Sequence, residues 1–158
     1  YMTTGVEPDI FTAAKALGGG VPIGALLAKE KFADAFAPGD HGTTFGGNPF
    51  ATAAGLAVLK IFDEEKLVEN SRSMGEYFKK ALGGISSDKI AEIRGRGLLI
   101  GIELADGYGK KAFDALFEKG YLTSLCGGKT LRLAPPLIIN KEEIDGFVGA
   151  LDEVLREL

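Results

Sequence analysis

The sequence predicts a layered α/β protein in two parts, residues 1–62 and residues 63–158. Short apolar runs of strand length alternate with stretches whose apolar residues recur at helical spacing, and this alternation indicates helices packed on sheets. Two loops dense in glycine interrupt the first part, whereas the second part has regular helix and strand patterns. With 158 residues, 46% of them hydrophobic, the chain can bury a modest core.

The first glycine-rich loop follows a short apolar run. Residues 10–14, IFTAA, stand behind Pro8 and predict a buried strand, and Lys15 occupies the position where that strand should end. The glycines at 18–20 come next, and three in a row fit a tight bend or a close approach to a ligand. A strand that delivers a lysine into such a bend is a way to present a Schiff-base lysine. Since lone lysines are common, a surface lysine beside an ordinary loop remains the alternative.

The next elements lead to a second special loop. Residues 23–28 predict a neighbouring strand, and residues 29–36 have helical spacing up to the proline and glycine that follow. The second loop is DHGTTFGG, residues 40–47, in which Thr43 and Thr44 supply hydroxyl groups. A loop that opens into a helix offers hydroxyls and unpaired N–H groups to a phosphate. The alternative is that the threonines merely shape the turn.

A helix starts at the end of this loop. Asn48 is a good N-cap and the proline after it suits the first helical position. The helix is apolar on nearly every side, which predicts that it is buried. We place the boundary between the two parts near its end, at Phe62.

The second part begins with another helix and ends with the longest amphipathic one. Residues 93–104, IRGRGLLIGIEL, predict one strand with a kink, and a short strand is expected at 121–125. Asn140 and Glu143 have the spacing of a capping box for the last helix. The inner faces of the three helices are predicted to carry Met74, Tyr77, Phe78, Ala81 and Leu82; Ala112, Phe113, Leu116 and Phe117; and Ile144, Phe147, Val148, Leu151, Val154, Leu155 and Leu158.

Arg132 lies in the strand predicted at residues 130–133. Its two leucine neighbours face one side of that strand, so Arg132 faces the other. A guanidinium binds carboxylates in a bidentate manner, which suits amino-acid or oxo-acid substrates. Spacing alone weighs this role evenly against a surface arginine on an edge strand. Arg94 and Arg96, on either side of a glycine, are predicted to be structural.

Charge and cysteine content exclude several classes. The net charge of −4 leaves no basic surface for nucleic acid or an anionic membrane, and no apolar run is long enough to span a bilayer. Cys126 is alone, so we expect an inert thiol, no internal disulfide and a reducing compartment, the cytoplasm. No metal-ligand spacing is present. His41, the sole histidine, is predicted to shape its loop.

Three motifs in the same order resemble one enzyme family. AAKALGGGVPIGA, HGTTFGGNPFATAAGLAVL and TLRLAPPLII, at residues 13–25, 41–59 and 130–139, are similar to segments of the class III (ω-type) pyridoxal-phosphate aminotransferases. The match covers nearly the whole chain. Within that family, the first two motifs are most similar to members that act on N-acetylornithine, with ornithine enzymes close behind.

The resemblance implies a fold, a cofactor and roles for individual residues. The fold would be the C-terminal part of pyridoxal-phosphate fold type I: the end of a large sheet domain, then a small α/β domain. Lys15 would be the Schiff-base lysine and proton carrier for pyridoxal 5'-phosphate. Thr44 would contact the cofactor phosphate, Thr43 would lie beside the substrate, and Arg132 would bind a substrate carboxylate.

The resemblance also implies substrates and an assembly. The donor would be N-acetylornithine or a similar ω-amine, the acceptor 2-oxoglutarate, the pathway arginine biosynthesis, and the assembly a homodimer with shared active sites. Two alternatives stay open, one from another functional class and one within enzymes. One is an inert truncated module that only dimerises or binds, and the other is an aminomutase of the same class, which the glycine at position 46 disfavours.

Overall fold

The computed structural model describes residues 4–158, and the chain forms two compact units, Tyr1–Glu65 and Lys66–Leu158. The assignment of the first unit to a larger cofactor-binding domain stays a prediction. None of the helices in the described range is long and apolar enough to cross a membrane.

The first unit is built from one hairpin, two 3-10 turns and one long helix. Strand β1 (Ile10–Ala14) pairs antiparallel with β2 (Gly24–Ala28), as neighbouring strands were predicted to do. A 3-10 turn, Lys15–Gly18, follows β1. The helical stretch expected at 29–36 is a 3-10 helix, Glu30–Ala35, and helix α1 spans Pro49–Glu64.

The predictions that β1 and helix α1 are buried are wrong for this unit. Phe11 of β1 and Leu27 of β2 are exposed, and Phe50 and Leu56 of α1 are more than half exposed. Within the unit, α1 packs mainly against the Lys15–Gly18 turn and buries only Ala51 and Gly55. The apolar composition of β1 and α1 predicted that other elements would pack on them. Within the described part of this unit, no other element buries their large apolar side chains.

The second unit is a four-stranded antiparallel sheet covered by helices. Strands β3 (Ile90–Arg96), β4 (Leu99–Leu104), β5 (Ser124–Cys126) and β6 (Thr130–Leu133) lie in the order β3-β4-β6-β5. Helices α2 (Leu67–Leu82) and α3 (Gly109–Glu118) contact the sheet, and α4 (Lys141–Glu157) packs on both helices. The core includes Phe78, Leu82, Ile100, Ile102, Leu104, Ala112, Leu116, Leu131, Ile144, Leu151 and Leu155.

The single kinked strand predicted at residues 93–104 is a hairpin instead. Residues 97 and 98 form its two-residue turn, and Arg96 pairs with Leu99. Gly97 has φ +53, a conformation that favours glycine, so the chain reverses here rather than bending. The error arose because Gly95 and Gly97 fit a kink within one strand, whereas Gly97 forms the turn of a hairpin.

Local start signals in the second unit are confirmed. Asn140 and Glu143 form the complete capping box of α4, and Leu131 and Leu133 are buried while Arg132 is exposed. Two details differ. Phe117, expected to face inward, is 57% exposed. The strand expected at 121–125 is shorter and later, at Ser124–Cys126.

Candidate active site

Lys15 lies directly after β1, at the start of the 3-10 turn. Its side chain is exposed and its backbone has φ +55, whereas Ala14 before it is fully extended. Few non-glycine residues adopt a positive φ, because the Cβ atom then crowds the backbone. The reversal turns the chain sharply at this residue, so Lys15 projects from the end of the strand.

Hydrogen bonds and close packing fix the turn after Lys15. The N–H of Gly19 donates to the carbonyl of Ala16 at 3.1 Å, and the N–H of Val21 donates to Gly18 at 3.0 Å. A Cβ at Gly18 would lie 2.8 Å from Cγ2 of Ile23, so only glycine fits there without a shift. The turn opens into a hollow lined by Lys15, Ala16, Gly19, Gly20, Val21, Pro22 and Ile23.

The loop at residues 40–47, called the threonine loop below, is stabilised by local hydrogen bonds. The N–H of Gly46 donates to the Thr43 hydroxyl at 3.1 Å, and the Asn48 amide donates to the carbonyl of Phe45 at 2.8 Å. Asn48 also caps α1, accepting from the N–H of Ala51 at 3.0 Å as predicted. The exposed Thr44 hydroxyl has no hydrogen-bond partner within residues 4–158 and remains available to a ligand.

Helix α1 contacts the 3-10 turn Lys15–Gly18, called the lysine turn below, and begins at the end of the threonine loop. The loop leads into its first turn, while Gly55 in its middle lies against the carbonyl of Leu17 and the Ile23 side chain. Pro22 and Ile23 line both the hollow beside Lys15 and a second hollow beside Gly46 and Asn48. The positions of Lys15 and Thr44, the predicted cofactor-binding residues of the first unit, therefore both depend on helix α1.

Arg132 belongs to the second unit, on the exposed face of its sheet. Its Nη2 donates to the Ser124 hydroxyl at 3.2 Å, and it forms no ion pair with a carboxylate in the described part of the chain. Arg94 on the same face differs, since it pairs with Glu92 at 2.7 Å and Glu103 at 2.8 Å. These pairs agree with the structural role predicted for Arg94.

The sole histidine and the sole cysteine of the sequence have few contacts with other side chains. The His41 ring centroid lies 6.1 Å from that of Phe36, a contact within the loop region that fits the predicted shaping role. Cys126 is an exposed free thiol at the end of β5. Sequence reasoning missed Ser124 as the partner of Arg132, because the pairing of β5 with β6 carries no local signal.

Comparison with known proteins identifies the family. The family model described as aminotransferase class-III matches residues 1–155. The chain belongs to the class-III aminotransferases. This confirms the family resemblance found in the sequence motifs.

Relatives and solved structures agree with this assignment. The acetylornithine aminotransferase of Methanothermobacter thermautotrophicus is 51% identical over 156 residues, covering 98% of this chain and 40% of the relative. The crystal structure of acetylornithine aminotransferase from Elizabethkingia anophelis has a TM-score of 0.92 at 36% identity, covering 99% of this chain and 41% of that one. An ornithine aminotransferase structure from Toxoplasma gondii, described with partial occupancy of PLP at its active site, has a TM-score of 0.89 at 33% identity, covering 97% and 37%.

These matches confirm the predicted α/β fold class, because the matched structures are aminotransferases. The chain spans about two-fifths of the length of the relatives it matches.

Proposed function

We propose that the protein carrying this chain is a pyridoxal-phosphate-dependent ω-aminotransferase. It moves the amino group of N-acetylornithine to 2-oxoglutarate, a step of arginine biosynthesis. The names of the class-III relatives support the reaction class and make N-acetylornithine the first donor to test.

The residues of the first unit fit the cofactor. An exposed lysine amine stands over a glycine-lined hollow, and a threonine hydroxyl without a partner lies in the loop before α1. Lys15 would hold one cofactor through its amine, and Thr44 would donate to the phosphate of the cofactor bound by the neighbouring subunit. The bound cofactor supplies the electron sink for the chemistry at the substrate carbon.

The protein's own groups would then orient substrate and move the proton. Lys15 Nζ would take the proton from the substrate carbon as a general base and deliver it to the cofactor carbon as a general acid. Arg132 binds a substrate carboxylate through its planar fork of N–H groups. Thr43 lies beside the substrate.

The placement of Lys15 is the observation that carries the proposal. Lys15 lies at a strand end, lines the glycine-rich hollow, and forms no ion pair within the described residues. Lys66 shares the positive φ of Lys15 and has no ion pair there, but it is the N-cap of α2. By contrast, the amines of Lys29 and Lys31 both pair with Asp9. Lys15 therefore combines an amine unpaired within the described residues with a position on the glycine-lined hollow.

Reductive labelling tests this assignment. The holoenzyme containing this sequence is treated with borohydride, which makes the lysine–cofactor linkage permanent, and the label is mapped on peptides. We expect the label on Lys15, its absence in a Lys15→Arg variant, and an unchanged pattern in Lys31→Arg. Label on another lysine with Lys15 clean would overturn the assignment.

The donor is tested on the same preparation. Initial rates with N-acetylornithine, ornithine and 2-oxoglutarate should give a higher kcat/KM for N-acetylornithine than for ornithine. The reverse order would replace the proposal by ornithine transamination, which the T. gondii relative favours. Absence of both a cofactor absorbance band and transamination would favour the inert binding module.

We propose in addition a homodimer whose active sites are shared. Helix α1 and the hairpin of the first unit expose Leu26, Leu27, Phe50, Leu56 and Leu59, which is apolar surface suited to burial by protein. In a shared site, Thr44 serves the lysine of the neighbouring subunit. Mixing Thr44→Ala chains with Lys15→Ala chains should then restore partial activity in hybrids, and hybrids that stay inactive would contradict sharing.

A further inference from the structure

Arg132 lies in a row of residues that crosses the small sheet. Strand register places Arg94 opposite Gly101, Gly101 opposite Arg132, and Arg132 opposite Ser124. The neighbouring residues Leu131 and Leu133 point into the core, so this row lies on the exposed face. The two cross-strand neighbours of Arg132 are thus a serine and a glycine.

Ser124 restrains the guanidinium from one side. Its hydroxyl accepts from Nη2 of Arg132 at 3.2 Å, and Ser124 itself is half-buried on strand β5. A long arginine side chain has many rotamers, and binding a carboxylate must fix them. A hydrogen bond that already selects one orientation lowers this entropic cost while leaving other N–H donors of the fork for the ligand.

Gly101 leaves the other side open. Gly101 places no side chain opposite Arg132, and a Cβ at this position would lie 3.3 Å from Cγ2 of Thr130 and 3.7 Å from Cγ of Arg94. Arg94 is neutralised by Glu92 and Glu103. Arg132 is therefore the arginine in this row whose charge is not balanced by a carboxylate among the described residues.

We propose that Ser124 and Gly101 are positioning residues for carboxylate recognition by Arg132. Ser124 holds the guanidinium in one orientation, and Gly101 keeps open the space through which a substrate carboxylate reaches it. The inference deepens the proposed function and rests on the carboxylate-binding role of Arg132.

The test measures binding of glutarate, an unreactive dicarboxylate, to the holoenzyme by calorimetry, together with KM and kcat for 2-oxoglutarate. Ser124→Ala should raise the Kd of glutarate and the KM about two- to tenfold with little change in kcat, because the guanidinium keeps its charge and loses only one orienting contact. Ser124→Thr keeps the hydroxyl and should restore both values. Gly101→Ala should also raise the Kd.

Thr130→Val is the matched control. Thr130 lies on the same face of the same sheet and its hydroxyl accepts from Arg94 at 3.4 Å, so its loss should leave glutarate binding unchanged. Equal weakening in Thr130→Val, or no rescue by Ser124→Thr, would mean a general disturbance and overturn the role of Ser124. Unchanged binding in Gly101→Ala would overturn the role of Gly101.

Arg132→Lys separates this inference from the function on which it rests. Lysine keeps the charge but loses the planar fork, so the Kd of glutarate should rise roughly five- to 100-fold, as for a charge-assisted hydrogen bond. If Arg132→Lys weakens binding and Ser124→Ala does not, the positioning inference alone fails. If Arg132→Lys changes nothing, the carboxylate-binding role of Arg132 fails.

Discussion

Lys15 combines the reactive amine with a backbone conformation that its side chain disfavours. A positive φ costs an ordinary L-residue roughly 1–2 kcal/mol relative to the right-handed region, and the hydrogen bonds of the following turn hold Lys15 at φ +55. Glycine would relax this strain but would remove the amine. Lys66, the N-cap of α2, has a similar φ of +51, so the strain supports a site at Lys15 only together with its position on the glycine-lined hollow.

The strain at Lys15 predicts that two variants lacking the amine differ in stability although they lose the chemistry equally. Lys15→Gly and Lys15→Ala both lose the amine and the borohydride label. The free energy of unfolding should nevertheless be about 1 kcal/mol higher for Lys15→Gly than for Lys15→Ala, because only glycine tolerates the positive φ without strain. Urea titration of the two variants checks this. Equal stability would show that residue 15 does not keep this conformation.

Gly46 controls the position of Thr43. Its N–H donates to the Thr43 hydroxyl, and a Cβ at Gly46 would lie 2.2 Å from Cγ2 of Thr43. Gly46→Ala should therefore displace Thr43 and raise the KM of the amino donor several-fold with smaller loss of bound cofactor. Gly42→Ala, with open space around the added carbon, should behave as wild type. An equal KM change in both variants would contradict this specific role.

At the level of elements, the exposed face of the small sheet carries a network that responds to pH. Hydrogen bonds from Lys129, the larger contribution, and from Arg94 hold the pKa of Glu103 below the ordinary glutamate value of 4.5. The folded state therefore favours the ionised form. The resulting stabilisation is complete above the ordinary pKa and is lost as pH falls from there through the lowered folded-state pKa.

Glu103→Gln tests this network. Urea-unfolding midpoints measured at decreasing pH should fall less steeply below about pH 4.5 in Glu103→Gln than in the wild-type chain, since one carboxylate with a lowered pKa is gone. Glu118→Gln, at an exposed position with no ion pair in residues 4–158, should keep the wild-type slope. The same slope in all three chains would exclude a contribution from Glu103.

The elements also show which features a sequence can predict. The starts of α1 and α4 were predicted because a cap depends on a few adjacent residues, such as Asn140 and Glu143. The hairpin at residues 90–104 was missed because Gly95 and Gly97 fit a kinked strand as well as a turn, and only the strand pairing distinguishes the two. In the candidate site, the glycine bend after Lys15 was visible, whereas the positive φ of Lys15 and the Ser124–Arg132 contact depend on tertiary structure.

For the whole molecule, the apolar core is unevenly distributed. Among the described residues, every buried hydrophobic residue except Ala51 belongs to the second unit. The first unit instead exposes Ile10, Phe11 and Leu26 of its hairpin and Phe50 and Leu56 of α1. A two-stranded hairpin is marginal in water without a covered apolar face, so the two units should differ in stability.

Hydrogen exchange on the 158-residue chain measures this difference directly. Amides of β4 and β6, paired in the interior of the sheet and backed by a helix-covered core, should exchange only on opening of the second unit. Amides of β1 and β2 form an equally regular ladder, but the surrounding side chains are exposed, so local opening should require little energy. We expect strong protection after Glu65, weak protection before it, and no transamination by this chain alone, because the lysine turn and threonine loop lie in the weakly protected unit. Addition of pyridoxal phosphate should not raise protection in β1 to the level of β4. Uniform strong protection from Ile10 onward, together with measurable transamination, would instead make the chain a self-sufficient enzyme.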